Sequence, residues 1–550
     1  MIAGPSTLDL NRDASFRLTV RQFIRSSALV LLGLFPHRSS AQATTNPQVD
    51  ASVLPRGILG VRVVTSWTRF DELFGAGPSS TGGPRNSACS LATDSLTTTL
   101  APQLSASENA IRTLSGTPSF RLTAGSLVAA ANSRVVTAPL ILEYGLTSHL
   151  TLGVVVPLVE TRSTVYAQLN PQLGTANVGP NPGLLNTTLR ASEAQLVASF
   201  RSAATALSQR LTQCQTAPTP DCSSLLSQQA AAQALIQSTG VTANAIETLY
   251  GGDDAHPGQP FVPLASSTAE AAIEARIAGL VTQYQALLPS SVITGGIAGA
   301  GGPGARFDMQ QMLANVGRDS LQIIDRSSIG DVSVGGTLLV FDTFHDSTKT
   351  GTQTRLAIHG GFRFGTGEPV NRNKILDVGT GYGQSGIEVG AAGDAILGRH
   401  LSGSVIASYT AQLGTVNVSR VPTGANLILP LTVAVPGTYS AGNVASITII
   451  PRWRLAGDFV LDGRYSLTNI AADQYTPATS VGTAFLGNAA ATTHAIGFGF
   501  SYSTFGIGKP TPRDLPYEVS FSHLETIAAS GGPTPKVFRD QVTLRVFVGR

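Results

Sequence analysis

Apolar and polar residues alternate with a period of two along many short segments of this chain. The stretch from Ser327 to Pro369 has the clearest pattern. Val332, Val334, Leu338 and Val340 alternate there with Asp331, Ser333, Gly335 and Thr337, and Leu356, Ile358, Phe362 and Phe364 alternate with Arg355, His359 and Arg363. In a strand this spacing sends the two sets to opposite faces. Many such segments, each about ten residues long and each setting Arg, His, Asp or Glu against aliphatics, are the signature of a transmembrane β-barrel.

Earlier in the chain, Leu59, Val61, Val63 and Trp67 take one face of a first strand, with Gly60, Arg62 and Ser66 on the other. A polar segment rich in Ser, Thr and Gly follows to about Ser133. A hairpin comes next, with Val136, Leu140, Leu142 and Tyr144 on one strand, Leu150, Leu152, Val154, Val156 and Leu158 on the second, and a tight turn at Thr147 and Ser148. Glu143 points the other way. A carboxylate facing lipid is costly, so the Leu/Val face belongs to lipid and Glu143 to the lumen.

From about Thr161 to Arg326 the alternation gives way to helical spacing. Leu196, Phe200, Ala204, Leu207 and Leu211 form one stripe, Leu225 to Ile236 another, and Ile273, Ile277, Leu280, Val281, Tyr284 and Leu287 a third. Ser267 and Thr268 ahead of Glu270 suit the start of that third helix. A Gly-rich linker then leads to a short helix with Phe307, Met309, Met312 and Leu313. Strands resume and run to the end, paired about Gly398-Arg399-His400 and Ala456-Gly457. The count is about twelve, and bacterial single-chain barrels have an even number. The chain therefore divides into first barrel strands and a long polar loop over 44–162, a mainly helical insertion over 163–328, and the remaining strands over 329–550. Short turns at Thr147, Arg399 and Ala456 mark the periplasmic side, which puts the insertion outside.

Composition agrees with a barrel: 13% of residues are charged and 58 are glycine. Mean hydropathy is slightly positive, yet beyond the N-terminus no run of about twenty apolar residues is present to form a membrane helix. The basic residues do not cluster, which argues against nucleic acid as a partner. Arg17, Arg21 and Arg25, the apolar run Ala28 to Phe35 and the small-residue site Ala41-Gln42-Ala43 form a secretory signal peptide over 1–43, cleaved near Ala43. An outer-membrane location in a Gram-negative-type envelope is then expected, with lipid and a small-molecule solute as partners. Cys214 and Cys222 bracket a turn and are a candidate disulfide in an oxidising compartment. Cys89 is left over.

The charged residues expected to face the lumen are Arg62, Glu143, Asp331, Arg355, His359, Arg363, Glu388, Asp394, Arg452, Arg454, Asp458, Asp462, Arg464, Glu518 and Arg545. They read either as a pore wall whose charges tune selectivity or as mutually paired charges that fill a closed barrel. Arg355, His359 and Arg363 on one strand tilt the reading toward a site for anionic groups. Trp67, Tyr144, Trp453, Tyr465, Tyr502 and Tyr517 are expected at the membrane interfaces. Gly381 to Gly386 matches a dinucleotide fingerprint on paper, but no strand-to-helix unit surrounds it. No enzyme, cofactor or metal is expected. The insertion could cap the mouth, plug the barrel or serve as a surface module, and its apolar stripes could simply pack on each other.

LPRG before the first strand, EYGLTSHLTLGVVVPLV, GDVSVGG, GFRFGTGEP and LDVGTGYGQSGIEVG together resemble the outer-membrane family linked to meta-pathway phenol degradation, itself similar to the long-chain fatty acid transporters. The phrases span about Leu54 to Val389. The resemblance implies a barrel that passes hydrophobic or aromatic compounds across the outer membrane, and the expected function is a channel or transporter acting by passive diffusion. The rival expectation is a closed barrel whose helices bind a partner. Too few residues separate Thr44 from the first strand for an N-terminal hatch like that of the fatty acid transporters.

Overall fold

In the computed structural model the alternating segments become twelve antiparallel strands: β1 (Leu59–Phe70), β2 (Leu127–Gly145), β3 (Leu150–Leu169), β4 (Ser333–Asp342), β5 (Gln353–Arg363), β6 (Gly386–Ile396), β7 (Leu401–Gln412), β8 (Val444–Arg454), β9 (Phe459–Ile470), β10 (Ala491–Ser503), β11 (Tyr517–Gly531) and β12 (Phe538–Val548). Each pairs with its neighbour in sequence, and β12 pairs with β1, so the sheet closes into a barrel. A thirteenth short strand, Ile324–Ile329, pairs with the upper part of β3 in line with β4. The structure describes residues 50–75, 84–89, 92–169, 176–184, 186–252, 255–265, 267–289, 292–301, 323–344, 352–370, 378–398, 400–422, 432–455, 459–477, 489–504, 516–532 and 534–549. Arg399, Ala456, Gly457, Asp458 and the short helix expected around Phe307 to Leu313 lie outside the described residues, as does the signal peptide.

Period-two patterning explains why these segments belong in a membrane. Leu140, Leu142, Leu152, Val154, Leu338, Ile358, Val389, Ile447, Phe498 and Leu544 are all exposed on the outer face. Their in-between neighbours are buried or half-buried inside the barrel. No helix of the described residues is long and apolar enough to cross a membrane. Only closed barrels and helices satisfy every backbone group in lipid, so this is an outer-membrane-type β-barrel with a helical insertion.

Two boundaries differ from the sequence expectation. β2 begins at Leu127, inside the segment expected to be loop, and β3 runs on to Leu169, past Thr161. Just beyond the apolar band the outer face carries Arg134, Arg162 and Thr164, so the strands continue where the aliphatic alternation breaks. The same polar segment also holds helix α1 (Ser105–Ser115), which buries Ala110, Ile111 and Leu114 and ends at Gly116 in the left-handed region. Glycine adopts that conformation without steric penalty.

Among the described residues the insertion holds four α-helices: α2 (Thr187–Thr216), α3 (Cys222–Ser227), α4 (Gln229–Leu249) and α5 (Thr268–Leu287). Asn186 caps α2 by accepting from the Thr188 and Leu189 amides, and Ser267 caps α5 by accepting from Glu270. A disulfide joins Cys214 to Cys222 across the α2–α3 turn, with Cα atoms 5.3 Å apart. Phe200, Leu207, Ile246, Ile273 and Tyr284 share one core with Leu127, Ala129, Ala131 and Leu169, which lie on the inner face of β2 and β3. The helices therefore cover the inner side of the extended β2–β3 hairpin at the end of the barrel that carries the long loops.

Two carboxylates are buried in this helical core. Glu193 is 0% exposed, and neither of its oxygens finds a hydrogen-bond donor among the described residues. Glu270 is 1% exposed and accepts the Tyr250 hydroxyl at 2.5 Å. Loss of water pushes each up to about 7 from 4.5, because burial penalises the charged form. The folded helices then bind more protons than the unfolded chain between those two values, so their stability is full below about pH 4.5, falls as pH rises to about 7, and is flat above. Thermal melting followed by helical circular dichroism should give a midpoint several degrees lower at pH 8 than at pH 5, and Glu193→Gln should remove part of that slope. Equal midpoints at the two pH values would contradict the burial of these ionisable groups.

Candidate functional site

Small residues on the inner wall make room for long charged ones. Gly153, Gly335, Gly361, Ala357 and Ala392 take inward positions on β3 to β6. A methyl group at Gly390 would collide with the His359 ring, 2.3 Å from Nε2, so glycine is required where that imidazole lies across β6. The wall charges then pair across strands. Arg355 and Asp394 are direct register partners, and Arg355 donates from Nη2 to Asp394 Oδ2 at 2.8 Å and from Nε at 3.2 Å. Asp394 Oδ1 accepts Ser404 at 2.6 Å, and Arg452 donates to the same hydroxyl.

Where β1 and β12 close the barrel, Arg62 and Arg545 sit directly opposite each other. Like charges in that position destabilise a sheet. Glu143 offsets them, accepting from Arg62 Nη2 at 3.0 and 3.1 Å and from Arg545 Nη2 at 2.7 Å. Glu518 lies 3.9 Å from Arg545. His359 Nε2 stands 3.8 Å from Glu388 Oε1, with both side chains 2% exposed. Arg363 reaches toward Asp331 at 3.8 Å, donates to Gln412, and lies over the Tyr382 ring. Asp462 is the register partner of Arg452 on β9, with Arg464 beside it.

Residues 50–55 cross the lumen near its short-turn end. The Ala51 amide donates to Asp394 Oδ2 at 3.0 Å, and the Leu54 amide donates to Thr151 Oγ1 at 2.8 Å. Ala51 is fully buried against Ala357 and Ala392. The Asp50 carboxylate faces the charges of Arg452 and Arg355. This segment thus spans from the β1–β3 wall to the β5–β8 wall. A cavity of about 30 Å³ is lined by Glu143, Thr151, Gly153, Gly335, His359 and Glu388, room for about two waters.

Several sequence expectations are therefore placed. Arg62, Glu143, Arg355, His359, Arg363, Glu388, Asp394, Arg452, Asp462, Arg464, Glu518 and Arg545 face the inner side. Arg454 is exposed at the short-turn rim. Asp331 lies in the break between the short strand and β4, where it accepts the Gly367 and Tyr382 amides. The anionic site read from Arg355, His359 and Arg363 is overturned. Each faces its own acid, Asp394, Glu388 or Asp331, which one strand's sequence does not reveal.

The sequence predicts no hatch comparable with that of the fatty acid transporters, yet the six residues 50–55 cross the lumen by themselves. Asp50 and Arg539 were not among the expected lumen residues. Arg539 faces inward, and its Nε donates to Thr68 at 3.4 Å; the Phe-Arg-Asp alternation of β12 was the available signal. Trp67, Tyr144, Trp453, Tyr465, Tyr502 and Tyr517 are exposed on the outer face. Gly381 to Gly386 form a loop leading into β6, with no helix after them.

No family model matches the chain, and no curated protein matches it. Among solved structures it is similar to an outer membrane channel from Pseudomonas putida F1, at 10% identity over 91% of this chain and 99% of that one, with a TM-score of 0.38. It is also similar to the Ralstonia pickettii toluene transporter TbuX, at 9% identity over 90% of each chain and a TM-score of 0.24. The P. putida toluene transporter TodX aligns at 11% identity over 90% of this chain and 89% of that one, with a TM-score of 0.21. At these scores the barrel stands on its own closed ladder of strand pairs.

Proposed function

We propose that the protein is a passive outer-membrane channel for small uncharged organic solutes, held shut near its periplasmic end by residues 50–55 and opened when that segment withdraws. The observation that carries this reading is the nature of the obstruction. A barrel built to be solid is filled by its own wall side chains. Here a separate chain segment crosses a wall of glycine and alanine, tied by the Ala51 and Leu54 amides. Wall charges that neutralise one another give no net field to draw ions through, which favours uncharged solutes. The sequence resemblance makes hydrophobic and aromatic compounds the first solutes to test. The rival reading, a partner-binding helical module, is disfavoured because Phe200 and Leu207 are fully buried in the helices' own core.

Liposomes containing the full chain should pass small aromatic solutes above an empty-liposome control. Ala51→Glu should expel the segment, because the longer side chain has no space between Ala357 and Ala392 and is repelled by Asp394. Losing two hydrogen bonds worth roughly 1 kcal/mol each raises the open fraction about thirtyfold at most. Flux at the control level for both proteins, with aromatic, sugar and salt solutes alike, would sink the channel reading.

Glu143→Gln should leave Arg62 and Arg545 facing each other without their shared acid. Breaking a buried pair costs about 3–5 kcal/mol, so the temperature at which the barrel unfolds in detergent should fall. In planar bilayers under a salt gradient, the reversal potential of the Ala51→Glu, Glu143→Gln protein should move toward anion selectivity relative to Ala51→Glu alone. An unchanged potential would place the conducting path away from Glu143.

A further inference from the structure

On the outer face of the barrel, three arginines stand side by side on three adjacent strands. Arg69 of β1 is the direct register partner of Arg134 on β2, and Arg134 is the direct partner of Arg162 on β3. All three are exposed. Residues directly opposite in an antiparallel pair have Cβ atoms about 4.5–5.5 Å apart, and like charges there destabilise the sheet. Inside the barrel the corresponding Arg62–Arg545 pair is offset by Glu143. Outside, Arg134 has neither a hydrogen bond nor an ion pair to any described residue, although it lies between two other guanidinium groups.

The neighbouring groups define what is left uncompensated. Asp325 of the short strand lies 3.6 Å from Arg162, with both side chains about half exposed. Glu160, two register positions below and level with Trp67, interacts with Arg134 and Arg162. Arg69 stacks on the Phe538 ring at 5.5 Å. Lys536 is taken by Glu72, and His523 by Asp540. Three guanidinium groups thus meet two carboxylates, and both carboxylates lie toward the β3 side, leaving Arg69 and Arg134 facing outward.

Their height on the barrel supplies the second half of the argument. Below the row, on the same outward faces, come Trp67, then Leu140, Leu142, Leu158 and Val154, which form the lipid-facing band. Immediately above, the strands carry the helical insertion and the long loops. The arginines therefore stand at the upper edge of the apolar band, level with the headgroups of the outer leaflet, beside a Trp of the kind that marks that boundary. Guanidinium groups bind phosphate through paired N–H donors.

We propose that Arg69, Arg134 and Arg162 form a binding site for the phosphate groups of an outer-leaflet glycolipid whose acyl chains lie along Leu140, Leu142 and Leu158. The site is independent of any passage through the lumen. A bound phosphate replaces the missing counter-charge of the row and fixes the upper strands against the membrane.

Native mass spectrometry of the full chain in detergent, titrated with diphosphorylated lipid A and with its enzymatically dephosphorylated form, tests the proposal. The phosphorylated lipid should bind about tenfold more tightly, and Arg69→Gln, Arg134→Gln, Arg162→Gln together should remove that preference. Arg134→Gln alone should remove a large part of it, and Arg121→Gln, on an exposed loop, should leave it intact. Barrel integrity is followed by the shift in gel mobility on heating, and a triple variant that fails to fold leaves the single variant and the two lipids to decide. Equal binding of the two lipids, or an unchanged preference in Arg134→Gln, would overturn the site. Displacement of the lipid by inorganic phosphate at equal concentration would overturn the lipid assignment in favour of a free anion.

Discussion

Closure of the strand ladder is the constraint on which the rest of this structure depends. With β1 paired to both β2 and β12, no strand edge is left in lipid, where an unpaired amide or carbonyl would find no water. Closure fixes the inward or outward sense of every residue through the period of two, since a slip by one position would turn the whole apolar set inward. Charges are then confined to the inner wall and to the ends. The inner wall is narrow, so those charges meet, and each must find an opposite partner close by or lose more in desolvation than it gains.

This explains the composition of the wall. Cross-strand partners such as Arg355 with Asp394 are held by register alone. Where register sets like against like, as with Arg62 and Arg545, a diagonal acid on the next strand bridges them. Long side chains crossing the lumen need backbone without Cβ atoms on the facing strands, which is why Gly390 lies under His359. The same open wall admits residues 50–55, whose amides take up acceptors, Asp394 Oδ2 and Thr151 Oγ1, that the wall itself presents.

The barrel was legible in the sequence because lipid imposes a strong alternating signal. Leu140 to Tyr144 and Leu150 to Leu158 could be assigned a face, and the turn between them a place, from that signal alone. Legibility stopped where lipid stopped: the upper ends of β2 and β3 lost the pattern although their hydrogen bonding continues. The lumen was legible as a set of inward charges but not as pairs. The partner of Arg363 lies thirty-two residues away, in the Asp331 break, and no periodicity encodes that distance. Residues 50–55 carry no pattern at all, being too few for a period, and Ala51 became informative only against the small inner-wall residues Ala357 and Ala392.

The Gly330 to Val332 break shows how a barrel of this kind tolerates an interrupted strand. The short strand and β4 both pair with β3, but β5 ends at Arg363, opposite Ser333, and does not continue beside the short strand. The loop after β5 takes its place. Thr366 donates its hydroxyl to the Gly330 carbonyl and accepts the Val332 amide, while Asp331 accepts the amides of Gly367 and Tyr382. This exchange needs the backbone of the loop to come into contact with itself. A methyl group at Gly367 would lie 2.6 Å from the Gly381 α-carbon, and one at Gly381 would lie 2.6 Å from Asp331 Oδ1. The glycine-rich phrases on either side of residues 371–377 therefore serve as a substitute strand edge. That accounts for a fingerprint-like run of glycines that leads into a strand with no helix after it: the carboxylate they close around is Asp331.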